Sequence, residues 1–268
     1  MRVVRIVAIG VSIALVTTSC SSPGRGPRAE RHTGASTTSS SSGAASSTTA
    51  AGGVRTVLSP IGLNIRSQPS SSASVVRTAA QGAVLTVLAH TDQGGGWFEV
   101  RGPTVTGWMS DDPSLSAPGM FAAYSSTTYQ VSLLYPQGWT AAQVSPTTVA
   151  FRAPSGSDTM VVTTATTVGQ LGRGRAGYSE SNSAQVVVCG ITTSLVTYDE
   201  VGAPPTTGLP SGVVSEHILA QVRLTLDAQH ALGLEANVND PSVLSSFKDV
   251  VYSVSFPFPQ CQGGKAGP

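Results

Sequence analysis

Cysteine and histidine are scarce enough in this 268-residue chain that each can be weighed for chemistry: three cysteines (Cys20, Cys189, Cys261) and four histidines (His32, His90, His217, His230). A reactive thiolate needs a cationic or basic neighbour, and a zinc site needs ligands at short, fixed spacing. Neither Cys189 nor Cys261 has a histidine or second cysteine at such a distance. Glu216-His217 does not open a zinc-binding helix, because Ala220 occupies the closing position and the stretch reads as strand. His32 lies in a polar tract and His90 follows a predicted strand, while His230, on the apolar side of another, reads as a satisfied core histidine. The carboxylate pairs Asp111-Asp112 and Asp199-Glu200 are adjacent in sequence, so on a strand their side chains point apart and cannot act together as acid and base. No Gly-x-Ser-x-Gly elbow occurs. Gly172-Arg-Gly-Arg-Ala-Gly177 has the spacing of a dinucleotide loop, but the Tyr178-Ser-Glu-Ser-Asn-Ser183 that follows lacks an apolar helical face, so a loop over 172–182 is predicted, with a short helix within it as the alternative. Arg173 and Arg175 in that loop are free to touch an anionic surface. The expectation is a non-catalytic protein without cofactor or metal.

Cys20 is the exception, because its surroundings assign it a covalent fate. Arg2 and Arg5 precede an apolar run from Ile6 to Val16, the layout of an export signal. As a helix that run reaches roughly 16 Å against about 30 Å of bilayer hydrocarbon, too short for a comfortable span. Thr17-Thr18-Ser19-Cys20 resembles a bacterial lipobox, with Thr17 where a leucine is usual. The resemblance implies cleavage before Cys20 and lipidation of its sulfur. Several acyl chains, at about 0.8 kcal/mol per buried CH₂, then hold the protein on the extracytoplasmic face of the membrane.

Export fixes the expectation for the other two cysteines. Outside the cytoplasm Cys189 and Cys261 are expected to pair. Closing their 72-position separation is worth about 4 kcal/mol on the loop-entropy account. The formal charge is +1, and the 15 basic residues less Arg2 and Arg5 leave 13 against 14 acidic ones in the mature chain. Nothing here attracts nucleic acid. Arginine far outnumbers lysine, and alanine, glycine, threonine and valine abound; this composition resembles that of proteins from GC-rich actinobacteria.

From Thr33 to Ala50 the chain reads TGASTTSSSSGAASSTTA, with no charge and no large apolar side chain. Such a tract cannot offset the entropy of ordering, so 20–53 is read as a lipidated cysteine and disordered tether behind a 1–19 signal. Its random-coil dimension is roughly 30 Å, stretching to about 100 Å.

Short strands and turns follow over 54–118. Gly82-Ala-Val-Leu-Thr-Val-Leu88 is β-rich, Trp97-Phe-Glu-Val-Arg101 alternates sides, and Gly94-Gly95-Gly96 must be a loop tip. Five or so strands in so short a span predict a small β-barrel. Leu63-Asn-Ile-Arg66-Ser-Gln-Pro-Ser70, Val75-Val76, Gly82 to Leu88, Gly96-Trp-Phe-Glu-Val-Arg101 and Gly107-Trp-Met-Ser110 resemble the successive blocks of a bacterial SH3-type domain, with Gln68 where the family often has glycine. The resemblance implies a shallow aromatic groove, with Arg66, Trp97 and Trp108 as its ligand-binding residues.

The remainder, 119–262 before a short 263–268 tail, has a different pattern. Tyr129, Val131, Leu133 and Tyr135 alternate, Pro136-Gln-Gly-Trp139 turns, and later runs at 148–151, 160–167, 186–189, 192–198, 216–226 and 230–238 predict an antiparallel sheet with a hairpin around Asp227-Ala-Gln229. One helix is clear: Asp240 caps it, Pro241 opens it, and Val243, Leu244, Phe247, Val250 and Val251 share a face. This pattern resembles PsbP-like domains, including lipoproteins of the LpqN type. That implies an α+β fold, an antiparallel sheet flanked by helices as an α/β/α sandwich, in binding or assembly factors.

Together these features predict a multi-domain envelope lipoprotein: a small all-β SH3-like barrel that binds peptidoglycan or a wall-associated peptide, then an α+β domain that binds a further protein partner. The alternative is that the C-terminal domain carries a lipid or small apolar ligand. A wall hydrolase is a third reading, with no catalytic residues to assign.

Overall fold

The computed structural model describes residues 49–50, 52–156, 158–201, 218–239, 241–257 and 261. The export signal, Cys20, His32, the tether as far as residue 48, His217, Asp240 and the 263–268 tail lie outside the described residues. Among those described, no helix is long and apolar enough to cross a membrane.

The first part is an SH3-like antiparallel sheet. Its strands are β1 (Thr49–Ala50), β2 (Val54–Val57), β3 (Leu63–Arg66), β4 (Val75–Ala79), β5 (Val84–Thr91), β6 (Trp97–Arg101), β7 (Thr106–Ser110) and β8 (Ser116–Pro118). The order is β4-β3-β7-β6-β5-β2-β8, with β1 also paired to β5. Period-two alternation turns Leu63 and Ile65, Leu85 and Val87, Val100 and Met109 onto one face. Six strands thus feed one buried cluster, which the sheet curls around. Glycine is needed at 107 because a Cβ there would lie 2.6 Å from the Arg66 carbonyl oxygen.

The second part is built on a seven-stranded antiparallel sheet of β11 (Thr140–Ser145), β12 (Thr148–Arg152), β13 (Thr159–Ala165), β14 (Tyr178–Val188), β15 (Ile191–Glu200), β16 (Ile218–Thr225) and β17 (Ala231–Val238), ordered β11-β12-β13-β17-β16-β15-β14. A separate hairpin pairs β9 (Phe121–Ser126) with β10 (Val131–Pro136). The helix α1 (Pro241–Ser253) follows, opening at Pro241 as the sequence requires. Phe247, Val250 and Val251 of α1, Val131 and Leu133 of β10, and Phe151, Met160, Val222 and Leu234 of the sheet make one apolar core.

Three expectations are corrected here. Among the described residues α1 is the one α-helix, so the sheet is not flanked by helices on both faces; the opposite face carries the 3₁₀ turn Val168–Leu171, whose Leu171 packs against Gly233. Tyr178 to Asn182 is strand rather than loop, since hydrogen bonding to β15 holds an extended edge that the sequence leaves polar on both faces. His230 is exposed at the β16–β17 turn, with Nδ1 2.8 Å from the Asp227 carboxylate, and not in the core. The strand at 140–145 has almost no buried side chain, which is why no apolar alternation announced it.

The two cysteines are bonded, with Cα atoms 4.6 Å apart. Cys189 and Gly190 form the two-residue loop between β14 and β15, with φ of 50° and 79°. Both central residues of a type I′ hairpin take positive φ, the turn whose twist matches its strands. The bond ties this turn to the chain beyond α1, where Cys261 Sγ also accepts the Phe256 N–H at 3.3 Å.

The two parts lie in one compact unit. Leu58, Ala117 and Leu134 form a small buried cluster with Phe121 and Tyr252 against it. Gln81 Nε2 donates to the Leu58 carbonyl at 2.8 Å and to the Ser253 carbonyl at 2.6 Å. Nearby, Arg55 donates to Ser116 Oγ and O and stacks 4.5 Å from the Phe98 ring centroid. Burial pushes the Asp249 carboxyl of α1 up to about 6, with partial relief from Arg55 and Lys248.

Candidate functional site

On an antiparallel ladder, residues directly opposite share a face and are the closest cross-strand neighbours. Arg66 of β3 pairs with Trp108 of β7, and Trp108 pairs on its other side with Glu99 of β6. Cation, indole and carboxylate thus stand in a row on the surface away from the barrel core, and all three are half-buried. Glu99 was not singled out in the sequence. Its signal was the β6 alternation itself, which sends Phe98 and Val100 inward and leaves Trp97, Glu99 and Arg101 on the face of Trp108.

Arg66 has a structural duty as well. Its Nη1 donates to the Ala73 carbonyl at 2.5 Å, pinning the 67–74 loop, while its Nε is buried with no hydrogen-bond partner.

Trp97 is on the same face but is not an exposed groove wall as expected: it is 3% exposed. Gly94, Gly95 and Gly96, with φ of 60°, 103° and 91°, let the loop tip fold back over the ring. A Cβ on Gly94 would sit 3.8 Å from both the indole Nε1 and the Pro69 carbonyl oxygen, which places the indole nitrogen near both loops. That N–H has no acceptor. A side chain at Gly96 would collide with the Asp111 carboxylate, which is itself 3.0 Å from His90 Nε2 and so fixes the base of the loop. The resulting face offers the Arg66 guanidinium, the Trp108 aromatic surface and the Glu99 carboxylate, while the Trp97 indole N–H stays buried beneath the loop.

Residues 61–115 match the family model described as Bacterial SH3 domain. This covers the Arg66, Trp97, Glu99 and Trp108 face. No curated protein matches the chain. Among solved structures, the solution structure of cyanobacterial PsbP (CyanoP) from Synechocystis sp. PCC 6803 aligns with 51% of this chain and 92% of its own, at 17% identity and a TM-score of 0.35.

Proposed function

We propose that this chain is a non-catalytic lipoprotein of the bacterial cell envelope, anchored through Cys20, whose SH3-type domain binds peptidoglycan or a wall-associated peptide while the C-terminal domain engages a further partner. The observation that carries the reading is the match of 61–115 to the bacterial SH3 family together with the Arg66, Trp108 and Glu99 row that the fold assembles there. The Cys189–Cys261 bond supports an oxidising compartment outside the cytoplasm. The export signal and lipobox in the sequence support the anchor, and the PsbP-like pattern supports a binding rather than catalytic role for the second part.

Peptidoglycan stem peptides carry free amines and carboxylates, which Glu99 and Arg66 complement on either side of an indole platform. The test is co-sedimentation of the full chain, lipid site replaced by Cys20→Ser, with purified peptidoglycan. The reading predicts retention that falls when soluble stem peptide is added. Passage of the protein into the supernatant, or retention unchanged in Trp108→Ala, overturns it.

A further inference from the structure

The arginine-bearing loop that fails as a dinucleotide site has a different use in the fold. Gly172 and Gly174, with φ of 73° and 64°, turn it back across the outer face of the seven-stranded sheet. There the Gly174 N–H donates to Gln221 Oε1 at 3.2 Å, and the Gly172 carbonyl accepts from Arg223 Nη1 at 2.9 Å. Gln221 is buried, so the loop is tied to the sheet. Between loop and sheet lies a cavity of about 330 Å³ lined by Arg173, Arg223, Ser183, Ser194 and Val196 among others.

The charges around it do not cancel. Arg173 pairs with Glu180 at 2.7 Å and Arg175 with Glu235 at 2.6 Å. Arg223, half-buried in the cavity wall, has no carboxylate partner among the described residues, and a single bond to a carbonyl leaves most of its donors unused. Ser194 and Ser183 line the same cavity, and their hydroxyls make no hydrogen bond among the described residues. Val196 and Ser183 are paired across β15 and β14, and Ser194 shares the face of Val196 two residues away. Two guanidiniums and a set of unspent hydroxyl donors therefore converge on one concave space.

We infer that this cavity is an oxyanion site of the phosphate class, with Arg223 and Arg173 as the charged donors and Ser194 and Ser183 as the hydroxyl donors. A tetrahedral anion presents acceptors in several directions, which suits donors arriving from the loop and from two strands, and a guanidinium grips it bidentately. The phosphate is that of a free ion or soluble ester, or that of an anionic lipid headgroup.

The test titrates the full chain, carrying Cys20→Ser, with inorganic phosphate at low salt, following backbone amide resonances, and repeats it with vesicles of phosphatidylglycerol or of phosphatidylcholine. Phosphate is expected to shift amides of 172–174, 194 and 223, with affinity reduced at least tenfold in Arg223→Gln, partly restored in Arg223→Lys, and weakened by salt. Should Arg223→Gln fold poorly, Ser194→Ala must lower the affinity with the urea midpoint unchanged. Retention on phosphatidylglycerol but not phosphatidylcholine vesicles, lost in Arg223→Gln, identifies a headgroup; binding of phosphate without that retention identifies a soluble source. Absence of any phosphate-dependent shift at these positions, or equal affinity in Arg223→Gln, overturns the site.

Discussion

Arg66 and Trp108 are directly paired residues of two antiparallel strands, and this pairing converts two positions 42 apart in sequence into one surface. The register that pairs them is fixed by burial, because a slip of one residue would turn Ile65 and Met109 out of the core.

The two tryptophans are expected to separate cleanly on mutation. Trp108→Ala should lower peptidoglycan retention about tenfold, the equivalent of about 1.4 kcal/mol, with little change in the urea midpoint. Trp97→Ala should instead destabilise the fold by about 3 kcal/mol or more, since it empties a buried aromatic site. Equilibrium denaturation beside sedimentation assays reads both, and a Trp97→Ala protein of unchanged stability would contradict its buried position.

Glu99→Gln keeps the shape of the row but removes its carboxylate. Retention of wall peptides bearing a free amine should fall several-fold, while acetylation of that amine should abolish the difference between Glu99→Gln and wild type. The paired titrations measure it by intrinsic tryptophan fluorescence.

Reduction of the Cys189–Cys261 bond should cost about 4 kcal/mol, the value for closing so long a loop. Thermal melts with and without dithiothreitol check it, and a Cys189→Ala/Cys261→Ala protein should melt at the reduced temperature under both conditions.

Asp249 gives a pH dependence of defined sign. Its carboxyl is raised from 3.8 to about 6 by burial, so between those values the folded state holds a proton that the unfolded state has released. Stability from this group is therefore full below about 3.8, declines as pH rises through the window, and is lost above about 6. The whole effect is roughly 2–3 kcal/mol. Denaturation midpoints for wild type and Asp249→Asn should diverge over this range, with the variant relatively more stable at pH 7; parallel curves would contradict the assignment.

Leu134→Ala removes a side chain from the cluster joining the two parts and should cost about 2–4 kcal/mol. Limited proteolysis should then cut near Pro118 to Met120, in the short connection between β8 and β9, faster than in wild type.

Much of the architecture was legible locally. The blocks around Leu63, Gly82, Trp97 and Gly107 carried the SH3-like part because turn glycines and period-two alternation act over a few residues. The Cys189–Cys261 pairing was expected from their number and an expected export, and α1 from Pro241 and its apolar stripe. The strand at 140–145 and the edge at 178–182 were not legible, since hydrogen bonds to a neighbouring strand hold them without an apolar face of their own.

The sequence by itself determined which residues are available: three cysteines, two barrel tryptophans and the arginines of a glycine-rich loop. Only the tertiary structure decided what each one does. Loop closure over Trp97 buried it, strand register set Glu99 beside Trp108, and a turn placed His230 in solvent with Asp227. The fold of the 172–177 loop onto the sheet left Arg223 without a carboxylate partner among the described residues. Exposure, cross-strand pairing and charge balance depend on groups distant in the chain, so no local pattern encodes them.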